Sequence, residues 1–197
     1  MKAAICTGIV CVFFLSAGTA FADTLVAESI SESTTWTKEG SPYLVEGVVS
    51  IGAGVTLSIE PEVVVHFAPG SSLKVHGAIS AQGTEDAPIA LTAPSGSWSL
   101  HLDAGSLSST FRWVEFEHLS TLRDDSKNPL TFSDSVVKDS DRGILVSGGT
   151  LFLERARFER ILDAAVELSY GSTATLAQVT LHNVDFGIQI YQNSHAS

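Results

Sequence analysis

DRGILVSGGTLFLERARFERILDAAVELSYGSTATLAQVTLHNVDFGIQIYQN, residues 141–193, carries one register three times over. Ile144, Val166 and Ile188 recur every 22 residues, and Val146, Leu168 and Ile190 keep the same step. So do Asp141, Asp163 and Asp185, and the turn residues Gly149, Gly171 and Asn193. That period fits neither an α-helix nor a heptad. It fits a coil of short parallel strands, each turn laid on the last, with apolar side chains stacked inward. The expected fold is all-β: a right-handed parallel β-helix, a solenoid of roughly seven to eight coils.

The same pattern extends toward the N-terminus. Rungs open at Phe111, Phe132, Leu153 and Leu176. Inward pairs follow three residues later: Val114/Phe116, Ser135/Val137, Ala156/Phe158 and Val179/Leu181. Arg123–Asn128 reads as a turn. Ser95–Ser108 reads as an incomplete rung with Trp98, Leu100 and Leu102 inside. Before it lies a block from Tyr43 to Ala93, in which Leu57, Leu73 and Ile89 are spaced by 16. Each opens a segment of period-two alternation, which marks strands. Pro61, Pro69, Pro88 and Pro94 fall at the breaks, where a missing N–H costs little. Residues 23–42 are expected to cap the N-terminal end, and residues 43–197 to form the β-helix.

SPYLVEGVVSIGAGVTLSIEPEVVVHFAPGSSLKVHGAISAQGTEDAPIALTA, residues 41–93, resembles the opening coils of secreted β-helix proteins of the pectin-lyase-like superfamily. The matching elements are a Pro-Tyr/aliphatic start, then L-x-I-E-P, then L-x-V-x-G-x-L-x-A-x-G-T…P-I. Glu62 stands where that pattern has Gly. Gly143-Ile144-Leu145-Val146 and Gly187-Ile188-Gln189-Ile190 resemble the superfamily's degenerate coil repeat. The resemblance implies fold and export. It brings no catalytic signature: inverting hydrolases of the superfamily pair spread acids with a His-Gly, and here His182 is followed by Asn183.

The first residues read as a signal peptide. Lys2 precedes an apolar run from Ala3 to Leu15, and Ala20-Phe21-Ala22 is a cleavage site of the A-x-A kind. Cleavage after Ala22 removes Cys6 and Cys11, the only cysteines, so the exported chain has no thiol chemistry. It also removes Lys2 and makes the formal charge of −11 one unit more negative. An acidic surface argues against nucleic acid and anionic membranes as partners. No later segment is apolar enough to span a bilayer. Residues 192–197 add neither an amphipathic helix nor a polar coil, so the expectation is end-to-end self-association or a longer parent chain.

Candidate site residues follow from the register. Asp141, Asp163 and Asp185 would stack their carboxylates at about the 4.8 Å strand spacing. Calcium suits such oxygen ligands; the competing reading is an Asx turn at each coil. Tyr170 and Tyr191, near the same turn of adjacent coils, are candidate glycan-contact aromatics. Asp124-Asp125 has the paired-carboxylate form of glycoside hydrolysis, with a solvated turn as the competing reading. Arg155 and Arg157 flank the inward Ala156 and should point outward. No His pair has zinc-site spacing, and no nucleophile elbow or phosphate loop is present. The expected function is an exported non-catalytic module for glycan or protein contact, or a rigid spacer. The alternative is a polysaccharide lyase or glycoside hydrolase.

Overall fold

The computed structural model describes residues 23–197; the expected signal peptide, with both cysteines, lies outside them. The described residues form a parallel β-solenoid of about eight turns, with no α-helix and one short 3-10 turn at Lys38–Gly40. Among them, no helix is long and apolar enough to cross a membrane. Each full coil lays one strand on each of three faces. Coil two shows the plan: Tyr43–Val45 on the first face, Val48–Ile51 on the second, Thr56–Ile59 on the third. Every strand pairs in parallel with its counterparts one coil away. In coils seven and eight one long strand bends across two faces, Arg157–Ser169 and Thr180–Ile190.

The register obeys the sequence. Ile144 pairs with Val166, and Val166 with Ile188. Phe111, Phe132, Leu153 and Leu176 stack on the third face. Alternation sends these residues inward, where an aromatic ladder fills coils three to five: Phe67 stacks on Trp98 at 3.7 Å, and Phe116 lies 5.1 Å from Phe132. The Trp98 indole N–H donates to the Glu117 carbonyl at 2.9 Å, so no donor is stranded. Ser95–Ser108 supplies a full second-face strand, Trp98–Leu102, with Trp98, Leu100 and Leu102 all buried. Leu181 continues the Val137–Phe158 ladder but is 37% exposed, because no described coil covers it.

Three expectations change. The 16-residue spacing of the first block is not a coil repeat. Leu57 lies on the third face, Leu73 on the second and Ile89 on the first, and their stacking partners are Ile79, Val49 and Val114. Sixteen residues is two strands of a three-strand coil. Residues 23–42 are an open first coil as much as a cap: Thr24–Val26 pairs with Tyr43–Val45, and Thr34–Trp36 with Leu57–Ile59. Two turn positions move by one residue. Gly171 and Asn193 have positive φ, but Gly148 and Lys127 do so in place of Gly149 and Asn128. Gly149 instead faces inward and is buried.

The corners flanking the first face are built without glycine. Each is a single left-handed residue. Trp113, Asp134, Arg155 and Gln178 form one corner column and His118, Asp139, Arg160 and Asn183 the other, all at φ between 50° and 55°. Such conformations cost about 1 kcal/mol or more outside glycine, so the surroundings must hold them. Arg155 binds Asp134 one coil back through Nε and Nη2, and Arg160 binds Asp139 in the same way. Inside the corners, Ser135 Oγ accepts the Val114 N–H and Ser140 Oγ the Leu119 N–H, both at 3.0 Å.

Candidate functional site

The second face carries an outward column with a constant step. His101, Arg123, Leu145, Glu167 and Gln189 are paired coil to coil, 22 residues apart throughout, with Lys74 on the preceding coil. Parallel in-register strands put these side chains at about 4.8 Å intervals. Two shallow depressions meet on this column and share Arg123 and Leu145 as walls. One is lined by His101, Ser120, Thr121, Asp141 and Arg142. The other is lined by Glu167, Ser169 and Tyr170. Together they form one open groove running along the axis over coils four to seven.

The cations of this groove are engaged. Arg123 Nε donates to Asp125 Oδ2 at 2.7 Å, and that hydrogen bond raises the guanidinium pKa further. Arg142 Nε forms an ion pair with Asp163 Oδ2 at 2.7 Å. Both arginines remain about half exposed, so each can still offer N–H donors to a ligand.

The aspartate ladder crosses a register shift. Ser140 pairs with Ile161, and Ile161 with Val184, after which the register shifts within coil seven. Continuing forward from Ile161 sets Leu162 opposite Asp185, and stepping back from the Ala164–Phe186 pair sets Asp163 there, so two residues of coil seven share that position. Leu162 and Asp163 together form the bulge, and Arg142 neutralises Asp163. Among the described residues no group of three or more His, Asp and Glu has a geometry that could hold a metal ion.

Tyr170 and Tyr191 are both exposed, at 67% and 47%. The register that pairs Leu168 with Ile190 continues to set Tyr191 opposite Ser169, so the two tyrosines are offset by one residue. Tyr170 sits at a left-handed turn and borders the groove, whereas the Tyr191 hydroxyl donates to Gln189 Oε1 at 3.0 Å.

Asp124 and Asp125 fall on opposite sides of the wall. Asp125 faces out to Arg123, but Asp124 occupies the inward column between Leu102 and Val146 and is fully buried. The expected solvated turn therefore holds for Asp125 only. The Asp124 Oδ1 accepts the Ser126 N–H at 2.9 Å, while Oδ2 has no partner. Burial pushes its pKa above the ordinary carboxylate value, against the pull of the Ser126 hydrogen bonds. Side chains on opposite sides of one strand cannot act as an acid and base on one substrate.

Away from the groove several acids are also paired. Hydrogen bonds from Arg155 and Arg160 hold Asp134 and Asp139 below the ordinary carboxylate range. Lys138 does the same for Glu117. Arg157 pairs with Glu159 at 2.7 Å. The Arg123–Leu145–Glu167 column escaped a reading centred on the inward residues, although it keeps the same step of 22.

No family model matches the chain, and no solved structure matches it. A stretch of 63 residues, 32% of the chain, is 36% identical to Protein bark beetle of Drosophila melanogaster. The match spans 2% of that protein's length.

Proposed function

We propose that this chain is an exported, non-catalytic β-solenoid module that contacts a glycan or a protein surface through its second-face groove. The observation that carries the reading is the groove itself. It is shallow and open, it runs along the axis, and two half-exposed arginines, Arg123 and Arg142, stand beside Asp141 and Glu167. Such a mixed, preformed strip positions a ligand without poising a group for proton transfer. The signal-like N-terminus (Lys2, Ala3–Leu15, Ala20-Phe21-Ala22) supports export. The likeness of Ser41–Ala93 to openings of the pectin-lyase-like superfamily supports an extracellular or cell-surface setting.

A second reading is a polysaccharide lyase or hydrolase of that superfamily. It is favoured by the meeting of His101, Arg123 and Asp141 on a parallel β-face. The two separate in one experiment. Purified protein is mixed with acidic and neutral polysaccharides, and both binding and product release are followed. The module reading expects retention of an acidic ligand that Arg123→Ala weakens, with no unsaturated products and no new reducing ends. Turnover that Asp141→Asn abolishes would replace it with the enzyme reading.

A further inference from the structure

The third face differs from the other two in what it turns to solvent. The first face shows Glu115, Lys138 and Glu159, and the second Lys74, Arg123 and Glu167. The central outward column of the third face reads Thr35, Ser58, Ser80, Thr110, Thr131, Phe152 and Thr175, paired coil to coil from coil one to coil seven. The outward column beside it includes Thr56, Pro129, Thr150 and Thr173. Neither run contains an ionisable side chain. Charge reaches this face at its edge, where Arg112 binds Asp134 and Glu154 binds Arg155.

We propose that the third face binds a neutral linear polysaccharide laid along the solenoid axis. This surface is separate from the second-face groove, and the inference does not depend on that reading. Five observations carry it. The stripe is uncharged on a chain of net charge −11, so a polyanion or a polycation gains nothing there. Its hydroxyls both donate and accept, and they repeat at about 4.8 Å along the axis and about 6.7 Å across it. Its uncharged part is two outward columns wide, room for one chain, and the third column, Arg112, Ser133 and Glu154, borders it with charge. Its length over coils one to seven is about 29 Å at that spacing. Finally, Phe152 stands 41% exposed between Thr131 and Thr175, an apolar ring with no inward role. Such a ring can take the C–H face of one sugar, whereas the breaks at Pro129 and Phe152 would spoil a match to an ice lattice.

The test uses the whole chain on microcrystalline cellulose and on soluble mannan, with polygalacturonate as the anionic comparison. The expected result is retention on a neutral polymer that is the same at about 0.05 M and about 1 M salt, where charge interactions are screened. Thr110→Lys, Thr131→Lys and Phe152→Ser should each weaken it, by about tenfold for the ring. Lys74→Ala, on the second face outside the groove, should leave it unchanged. All three third-face positions point outward, so circular dichroism should show intact folds. Three results would overturn the proposal: no retention on either neutral polymer, retention lost in salt, or retention indifferent to all three substitutions. Inhibition of ice recrystallisation without retention on a neutral polymer would reassign the stripe to ice.

Discussion

The buried carboxyl of Asp124 makes the stability of the solenoid respond to pH in an unusual direction. An aspartate in an unfolded chain titrates near 3.9. Here the folded value is raised, chiefly by burial and slightly by Asp125, with the Ser126 hydrogen bonds opposing. A raised folded pKa means that the neutral form is favoured on folding. The contribution to stability is therefore fully present below about 3.9 and is lost as pH rises through the folded value. Asp124→Asn keeps an acceptor for the Ser126 N–H and removes the charge. A buried unsatisfied group costs about 1–3 kcal/mol, more if charged. The variant should gain that order of stability at neutral pH, or about 2–4 °C in Tm per kcal/mol for a domain of this size. The assay is thermal or urea unfolding of wild type and variant at several values between pH 4 and 7.5. The gap between them should close on the acid side. An equal gap at both ends, or a variant less stable at neutral pH, would refute the reasoning. Asp125→Asn is the control, since that carboxylate faces outward to Arg123.

Four further outcomes are expected. Phe158→Ala, at a fully buried position, should cost about 3–5 kcal/mol in chemical unfolding. Ser135→Ala and Ser140→Ala each strand a buried N–H, of Val114 or Leu119, and should each cost about 1–3 kcal/mol by the same measurement. Arg160→Ala, on an exposed pair, should lower Tm only slightly, an effect that salt reduces further. Calcium or a chelator should leave Tm unchanged, because Arg142 already neutralises Asp163.

The second half of the fold was legible because its coils are nearly constant in length. Two inward columns show this well: Phe116, Val137 and Phe158 pair at steps of 21, and Ile144, Val166 and Ile188 at steps of 22. The first half was not, because its loops vary. Ala81 pairs with Phe111 across 30 residues, whereas Leu57 pairs with Ile79 across 22. With the true step blurred, the fixed 16-residue echo of two strands stood out instead. The corners escaped for another reason. Left-handed positions are sought at Gly and Asn, yet these are held by Trp113, Asp134, Arg155 and His118, whose neighbours impose the backbone. Asp124 misled because a charged pair beside Arg123 has the composition of a turn. Only the pairing of Leu102, Asp124 and Val146 sends it inward. A close approach at Gly143 was likewise invisible, although a Cβ there would collide with the Ala165 carbonyl.

The hydrogen bonds between coils all run along the axis of the rod, and this decides how the molecule meets tension. A pull applied to its two ends does not shear a sheet, in which many bonds would be loaded together. It opens an edge coil and peels it bond by bond, as a zip opens. One coil of the second half holds about 21 residues, read from Val137 and Phe158. Fully extended, that is a release of about 70–75 Å. Under force the rod should lengthen in discrete steps of that size, at low load, and rewind in the same steps when slackened. It would act less as a strut than as a spool that lets out line in fixed lengths.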